Sequence, residues 1–334
     1  MSAVFLLSSC GKSDRYKVEG ELSDLSDSVL YVAYESPEGN VFDTIQAGSK
    51  GQFSNTHEEI EGLLSATIFY DGKGKWFTFY PEAGKKVRIK GNAQNPKSIR
   101  AKGGRINDKL SEYRDKIASL TGQSSANANL EMRRITQDFI TKNPKEKASA
   151  IVIADYFAEP ENIAPTEELL NILSPDLNDF YVVKNLRNQI DKAKMSMVGV
   201  KAPAFNVKNV YGQTFMPDSF LNKYYILAFT ALWCDLCQTE VMMLDQISTQ
   251  YPKDSLEIMM ISLDENSNEV SEQLRNDTIQ WNLVIDSAGQ AIEMFDKYNI
   301  NLLPNCLLMD KEGIIKLRTS NGAELKQAVD EIFK

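Results

Sequence analysis

The sequence predicts a multidomain protein with an N-terminal antiparallel β domain, a helical connector and a C-terminal α/β domain. Its 334 residues exceed the roughly 100–200 residues of a single domain. Short alternating segments give way to helical spacing near residue 105. From about residue 198, continuous apolar runs alternate with helical stretches. These changes of pattern predict the domains 16–104, 105–197 and 198–334, preceded by a short segment 1–10.

The composition is that of a globular chain, with 43% hydrophobic and 25% charged residues. It excludes a long disordered chain and a collagen-like fibre. The formal net charge of −9 argues against nucleic acid as a partner, because phosphate binding needs clustered Lys and Arg. The single histidine, His57, excludes a His-rich zinc centre.

Residues 1–10 are predicted to be the remnant of a signal peptide. The apolar run from Ala3 to Leu7 is far shorter than the roughly 20 residues of a membrane-spanning helix. Ser8 and Ser9 then precede Cys10, an order that resembles the cleavage site of bacterial lipoproteins. The resemblance implies lipid attachment at Cys10 and a lipid-anchored, periplasm-facing protein of the cell envelope. The usual basic residues before the apolar run are missing, and an ordinary terminus with an incidental cysteine is the alternative.

The segment 16–104 is predicted to form a small antiparallel sandwich or barrel. Runs such as Ser28–Tyr34 alternate with turn signals such as Asp71-Gly72, a pattern typical of all-β domains. One aromatic cluster alternates at strand spacing, which favours a core face over a ligand platform. Its members are Trp76, Phe77, Phe79 and Tyr80.

The segment 105–197 is predicted to be a connector of helices. Apolar residues recur near helical spacing, as Ile135, Phe139 and Ile140 do. The predicted helices are Asn107–Leu120, Leu130–Lys142, one that begins at Pro144, Thr166–Leu173 and Pro175–Lys194.

The segment 198–334 alternates predicted strands and helices. Its apolar runs are typical of strands buried on both faces: Tyr224–Thr230, Leu256–Ser262, Cys306–Asp310 and Gly313–Leu317. The helical stretches are Cys237–Tyr251, Asn268–Arg275, Ala288–Tyr298 and Ala323–Phe333.

A pair of cysteines follows the first of these strands. The run ends at Thr230, Trp233 follows, and Cys234-x-x-Cys237 opens a helix. Unpaired N–H groups and the helix dipole stabilise a thiolate at such a position, and the thiolate is the nucleophile of disulfide exchange. Cys234 is therefore expected to attack, and Cys237, one turn on, to resolve the mixed disulfide. A zinc site would need two further ligands, and the chain has no second Cys-x-x-Cys.

The segment Val198–Lys334 resembles thioredoxin-fold domains of the TlpA/ResA type. Five ordered motifs carry the resemblance: Gly199 with Ala202-Pro203-x-Phe205, Tyr211-Gly212-Gln213, Trp233-Cys234-x-x-Cys237, Pro304 and Asp310-x-x-Gly313. The resemblance implies that Pro304 is a cis-proline packed against the dithiol and that Glu240 tunes thiol protonation. Trp233 is expected to cover the dithiol and shape partner docking; a core position is the alternative.

The same resemblance implies a thiol–disulfide oxidoreductase that acts on exported proteins. Such domains are usually reductants of specific exported proteins, apocytochromes among them, and receive electrons from a membrane protein. The resemblance therefore implies neither a metal nor an organic cofactor. The front half of the chain resembles the β-rich domain of unknown function that precedes thioredoxin modules in Bacteroidetes lipoproteins. The motifs that carry this resemblance include Val18-Glu19-Gly20 and Gly51-Gln52-Phe53. That second resemblance implies architecture and no chemistry.

Several positions depart from the family pattern. Asp235-Leu236 stands where relatives often carry a proline, and the Asp235 charge is expected to disfavour the Cys234 thiolate. Leu302 replaces a glycine before the proline, and its bulk is expected to reshape the partner groove. Cys306 is a third thiol near the site or, as we expect, a buried packing residue. His57 is expected at the surface.

Two other functions remain open at this point. A thiol peroxidase of the peroxiredoxin class needs Pro-x-x-x-Thr-x-x-Cys, but positions 227 and 231 are Leu and Ala. A non-enzymatic binding lipoprotein would use the β domain for a ligand and keep the dithiol as a structural disulfide.

Overall fold

A computed structural model of the chain describes residues 15–58, 60–72, 74–120, 123, 125–158, 163–266, 281–286 and 288–334. Cys10, with the segment 1–10, and the predicted helix Asn268–Arg275 lie outside the described residues. The chain divides into two compact units, Met1–Phe157 with Glu168–Val183 and Ala158–Glu167 with Lys184–Lys334. The predicted class, an N-terminal β domain, then helices, then an α/β thioredoxin fold, is confirmed.

The N-terminal unit begins with two four-stranded sheets, in the orders β4-β1-β7-β8 and β3-β2-β5-β6. Their strands are β1 Tyr16–Ser23, β2 Val29–Ser36, β3 Gly39–Gln46, β4 Gln52–His57, β5 Ser65–Tyr70, β6 Lys75–Phe79, β7 Lys86–Asn92 and β8 Asn95–Lys102. Apolar side chains of both sheets, such as Val18, Ile89, Leu30 and Ile68, form one core. The pairs are antiparallel except for β1 with β7, which a long connection through the other sheet makes possible.

The aromatic cluster of β6 follows the predicted alternation. Phe77 and Phe79 are buried in this core, Tyr80 is buried, and Trp76 is exposed. His57 packs on the ring of Tyr34, with ring centroids 4.6 Å apart.

The helices after the β region are α1 Arg105–Ile117, α2 Ala126–Lys142, α3 Lys147–Phe157, α4 Ile163–Leu170 and α5 Tyr181–Met195. The prediction of one helix over Pro175–Lys194 is wrong. Ser174 accepts a hydrogen bond from the Asp176 N–H and caps a 3₁₀ turn at Pro175–Leu177, so α5 starts only at Tyr181. In the described part of the chain, no helix has the length and apolar character needed to cross a membrane.

The C-terminal unit contains a five-stranded sheet of order β13-β12-β11-β14-β15. The strands β9 Val207–Lys208 and β10 Thr214–Phe215 form a separate two-stranded sheet. The other elements of the unit are β11 Tyr224–Thr230, α6 Asp235–Gln250, β12 Leu256–Ser262, β13 Asn282–Val284, α7 Gln290–Lys297, β14 Asn305–Met309, β15 Ile315–Thr319 and α8 Gly322–Ile332. Apolar clusters cover both faces of this sheet, as its continuous apolar strands predict.

Strand register positions the dithiol and the proline. The central strand β11 runs parallel to β12 and antiparallel to β14. Phe229 pairs with Asn305, so the start of β14 lies beside the end of β11. Pro304, about 70 residues after Cys234, is thereby brought to the same edge of the sheet.

Candidate active site

The dithiol lies at the N-terminus of α6. Cys234 is the N-cap residue; its N–H donates to the Ala231 carbonyl at 3.1 Å, and its own carbonyl accepts from the Cys237 N–H at 3.0 Å. A disulfide joins Cys234 to Cys237, with the Cα atoms 5.3 Å apart. Once reduced, a Cys234 thiolate would face the positive end of the helix dipole, which lowers a thiol pKa.

The two cysteines differ in accessibility. Cys234 is 9% exposed and Cys237 is 2% exposed, and Cys234 lines an open groove. An incoming sulfur atom therefore has a path to Cys234, while Cys237 sits one turn inside the helix.

The groove beside Cys234 has a volume of about 450 Å³ and is lined mainly by apolar side chains. Three of them are exposed although they are large: Trp233 at 70%, Leu236 at 71% and Leu302 at 59%. The other lining residues include Leu263, Phe295, Ile300 and Leu303. Exposed apolar surface of this kind marks a contact site for a partner or ligand. Trp233 therefore stands at the rim and is not a core residue.

Pro304 follows Leu303, a residue that lines the groove. The Leu303–Pro304 peptide bond is cis, the conformation that the family resemblance implies. Pro304 itself is buried, and Leu303 lines the groove.

Glu240 lies on α6 one turn beyond Cys237 and is only 6% exposed, so it is not a solvated helix residue. Its Oε1 accepts a hydrogen bond from the Cys306 Sγ at 3.1 Å. Burial raises the pKa of Glu240; hydrogen bonds from the Cys306 thiol and the Gly322 backbone N–H act in the opposite direction. A buried carboxyl next to a thiol pair can hold or release a proton during exchange.

Cys306 is a packing residue, as expected, and it also makes a polar contact. It is completely buried in the cluster that contains Ala228, Leu244 and Leu308. Burial, followed by the proximity of Glu240, raises the pKa of the Cys306 thiol well above its usual range. Cys306 therefore stays protonated at neutral pH and can donate to Glu240.

Asp264, which is not among the predicted site residues, holds the loop before the dithiol. Its Oδ2 accepts from the Leu232 N–H at 2.9 Å and from the Ser262 hydroxyl at 2.5 Å. The available signal was the pair of polar residues that ends the apolar run of β12. Because the carboxyl ends of parallel neighbours share one sheet edge, these polar residues could have indicated that Asp264 meets the loop after β11.

No group of three or more potential metal-ligating side chains that could hold a metal ion occurs within the described ranges. Asp235 is exposed on the first turn of α6.

The C-terminal part of the chain matches known proteins. A family model described as the AhpC/TSA family matches residues 198–318. A thiol-disulfide oxidoreductase ResA from Bacillus thuringiensis subsp. konkukian is 25% identical over 143 residues, 43% of this chain and 80% of that protein. A ResA from Bacillus anthracis is 28% identical over 144 residues, with the same shares.

Solved structures are also similar to parts of this chain. The C-terminal domain of a putative thiol-disulfide oxidoreductase from Bacteroides thetaiotaomicron is 29% identical, with a TM-score of 0.38 over 41% of this chain and 97% of that chain. A thioredoxin-like protein from Bacteroides caccae is 18% identical, with a TM-score of 0.47 over 61% of this chain and 82% of that chain.

Proposed function

We propose that this protein exchanges disulfides with exported proteins and acts as their reductant. The proposal is supported by the similarity of its C-terminal part to thiol-disulfide oxidoreductases and to the AhpC/TSA family model. The observation that carries the proposal is the position of Cys234. It caps α6, is joined to Cys237 and lines an open apolar groove. This arrangement gives a partner disulfide access to one sulfur atom while the second is held one turn away.

The reaction balances within the dithiol and its substrate. In the reduced protein, the Cys234 thiolate attacks a substrate disulfide, forms a mixed disulfide and releases one substrate sulfur as a thiolate. Cys237 loses its proton and attacks the Cys234 sulfur. The Cys234–Cys237 disulfide forms, and the second substrate sulfur leaves as a thiolate. Two electrons pass to the substrate, and the oxidised pair in this structure corresponds to the end of that cycle.

We assign three supporting roles. Trp233 at the rim contacts the substrate chain. Pro304, buried beside Leu303, shapes the wall of the groove. Glu240 takes the proton from Cys237 when that thiol attacks, since residues three apart on a helix share one face and the carboxyl is shielded from water.

The proposal also covers the domain division and the cellular location of the protein. We propose the domain division 1–10, 16–104, 105–197 and 198–334, with lipid attachment at Cys10 and a periplasm-facing position in the cell envelope. Regeneration of the dithiol then requires a membrane protein that donates electrons. Support comes from the order of residues before Cys10 and from the TlpA/ResA-type motifs.

Peroxidase chemistry fits the site less well. Leu227 and Ala231 occupy the positions where a peroxidatic cysteine needs Pro and Thr, and both are buried apolar residues. Ala231 also lacks the hydroxyl group with which the threonine could donate a hydrogen bond to a peroxide. Consumption of hydrogen peroxide at a rate comparable with disulfide reduction would reverse this preference.

Two measurements test the proposal: trapping of mixed disulfides, and the reduction potential of the Cys234–Cys237 pair. Cys237→Ala should accumulate mixed disulfides with envelope proteins at Cys234, identified by mass spectrometry, whereas Cys234→Ala should accumulate none. Equilibration with thiol buffers should give a midpoint potential close to the roughly −270 mV of thioredoxin. A value near the roughly −120 mV of DsbA would overturn the reducing direction, and failure of wild-type protein to reduce insulin disulfides would overturn the exchange activity.

A further inference from the structure

A buried thiol and a buried carboxyl meet on the inner side of the dithiol helix. Cys306 is on β14, two residues after Pro304, and Glu240 is on α6, one turn after Cys237. The Cys306 Sγ lies 3.1 Å from the Glu240 Oε1, although 66 residues separate them. The thiol is completely buried, and the glutamate is nearly so.

The Glu240 carboxyl is held from two elements. Cys306 of β14 donates to Oε1, and the Gly322 N–H at the start of α8 donates to the carboxyl as well. A Cβ atom at Gly322 would come within 2.6 Å of the Glu240 Oε2, which shows how closely the carboxyl sits on that helix terminus. The nearby Glu324 of α8 is bonded to the Thr319 hydroxyl. Cys237 is the titratable neighbour on α6 itself.

Such a contact does more than fill space. A carboxylate in an apolar environment is disfavoured unless donors compensate the loss of water. A thiol is a weak donor, but a buried acceptor that loses one of two partners is left partly unsatisfied. The state of the carboxyl therefore depends on what occupies position 306.

We propose that Cys306 is a positioning residue for the exchange reaction, whose Sγ–H group orients the Glu240 carboxylate as the acceptor of the Cys237 proton. The inference rests on the proposed function. Cys306 forms no bond to substrate and transfers no electrons; its proton stays on sulfur. The Cys237 proton goes to Glu240 as the Cys237 sulfur attacks Cys234, and the substrate sulfur leaves as a thiolate. Burial, which raises the pKa of Cys306, keeps the donor protonated throughout.

The test separates donation from packing with three variants. Cys306→Ser keeps a donor of similar size, while Cys306→Ala and Cys306→Val keep an apolar residue and lose the donor. Reduced protein is mixed with the chromogenic disulfide dithiobis(nitrobenzoate) at a series of pH values. The first thionitrobenzoate released reports attack by Cys234, and the second reports resolution by Cys237.

In Cys306→Ala and Cys306→Val, we expect the midpoint of the pH profile of the second phase to rise by roughly 0.5–1 unit. This shift is smaller than that of a usual hydrogen bond to a charged group, because a thiol is a weak donor. The first phase should keep its profile, and Cys306→Ser should restore the second phase. In a Glu240→Gln background, Cys306→Ala should cause no further shift.

Superimposable second-phase profiles for wild type, Cys306→Ala and Cys306→Val would overturn the inference, and so would a shift in Cys306→Ser as large as that in Cys306→Ala. If Cys306→Ala does not fold, the Ser and Val variants carry the same comparison. Absence of the second phase from wild-type protein would instead contradict the proposed function, so the two failures are distinguishable.

Discussion

The two sides of the dithiol helix have opposite chemistry. The outer side presents large apolar side chains to solvent, with Trp233, Leu236 and Leu302 more than half exposed. The inner side buries a carboxyl and a thiol, Glu240 and Cys306, in a mainly apolar cluster. Each arrangement is the reverse of what stability alone favours.

The contrast indicates that the two sides have different roles in the exchange reaction. Exposed apolar groups lower the solubility of a chain unless a partner covers them, so the outer side is suited to substrate contact. A buried carboxyl handles protons with little competition from water, so the inner side is suited to control of thiol protonation. Substitutions on the outer side should change substrate affinity, and substitutions on the inner side should change pH dependence.

The largest effect on the reaction rate is expected at Cys234. Cys234→Ser should reduce insulin-disulfide reduction to the uncatalysed background, because the nucleophile is lost. Turbidity of insulin with dithiothreitol measures the rate, and an unchanged urea-unfolding midpoint of the reduced protein shows that the fold is intact. Substantial residual catalysis would place the reactive sulfur elsewhere.

Glu240→Gln should lower the rate of the resolving step at neutral pH by roughly 100-fold, the usual contribution of a general base. The Michaelis constant should stay nearly constant, because the side chain does not line the groove. Rapid-mixing kinetics of the second thionitrobenzoate release measure the rate. An equal loss in the attack by Cys234 would contradict the division between the two sides.

The same substitution predicts a pH dependence of stability. Burial raises the pKa of Glu240 above the ordinary value of 4.5, so the folded state holds this proton more tightly than the unfolded state. The wild-type free energy of unfolding, relative to Glu240→Gln, should be highest below pH 4.5 and fall as pH rises through the folded-state pKa. Urea titrations of the oxidised proteins measure the difference; a rise with pH would mean that the carboxylate is net stabilised.

On the outer side, Trp233→Ala and Leu302→Gly should each raise the Michaelis constant for a protein substrate about tenfold. This corresponds to about 1.4 kcal/mol of lost apolar contact. Ile292→Ala is the matched control, since Ile292 is 58% exposed but lies on α7 outside the lining of the groove. A shift of the pH profile in the rim variants, or an equal effect of the control, would contradict this role.

The smallest effect is expected at Asp235. Its charge lies on the first turn of α6 and is exposed, so Asp235→Asn should lower the pKa of the reduced Cys234 by only a few tenths of a unit. Rates of thiol alkylation against pH measure this shift, and added salt should diminish it. A raised pKa would show that the carboxylate assists the thiolate.

Much of the fold followed from local patterns. Four strands of the C-terminal sheet, β11, β12, β14 and β15, lie within a few residues of their predicted bounds. The short strand β13 was not predicted. Pairing of distant strands did not follow, because it depends on contacts that a local pattern does not contain. The parallel pair β1–β7 is an example.

The dithiol and its place in the fold follow from one continuous segment. Strand, loop, Cys234 and Cys237 are consecutive, so spacing alone sets their places at a helix N-terminus. The residues that surround the two cysteines come from distant segments. Cys306 reaches Glu240 because β14 pairs with β11, with Ala228 opposite Cys306, and because α6 packs against α8. Asp264 reaches the Leu232 N–H because β12 runs parallel to β11. Such contacts arise where elements distant in sequence pack together, and no single segment encodes them.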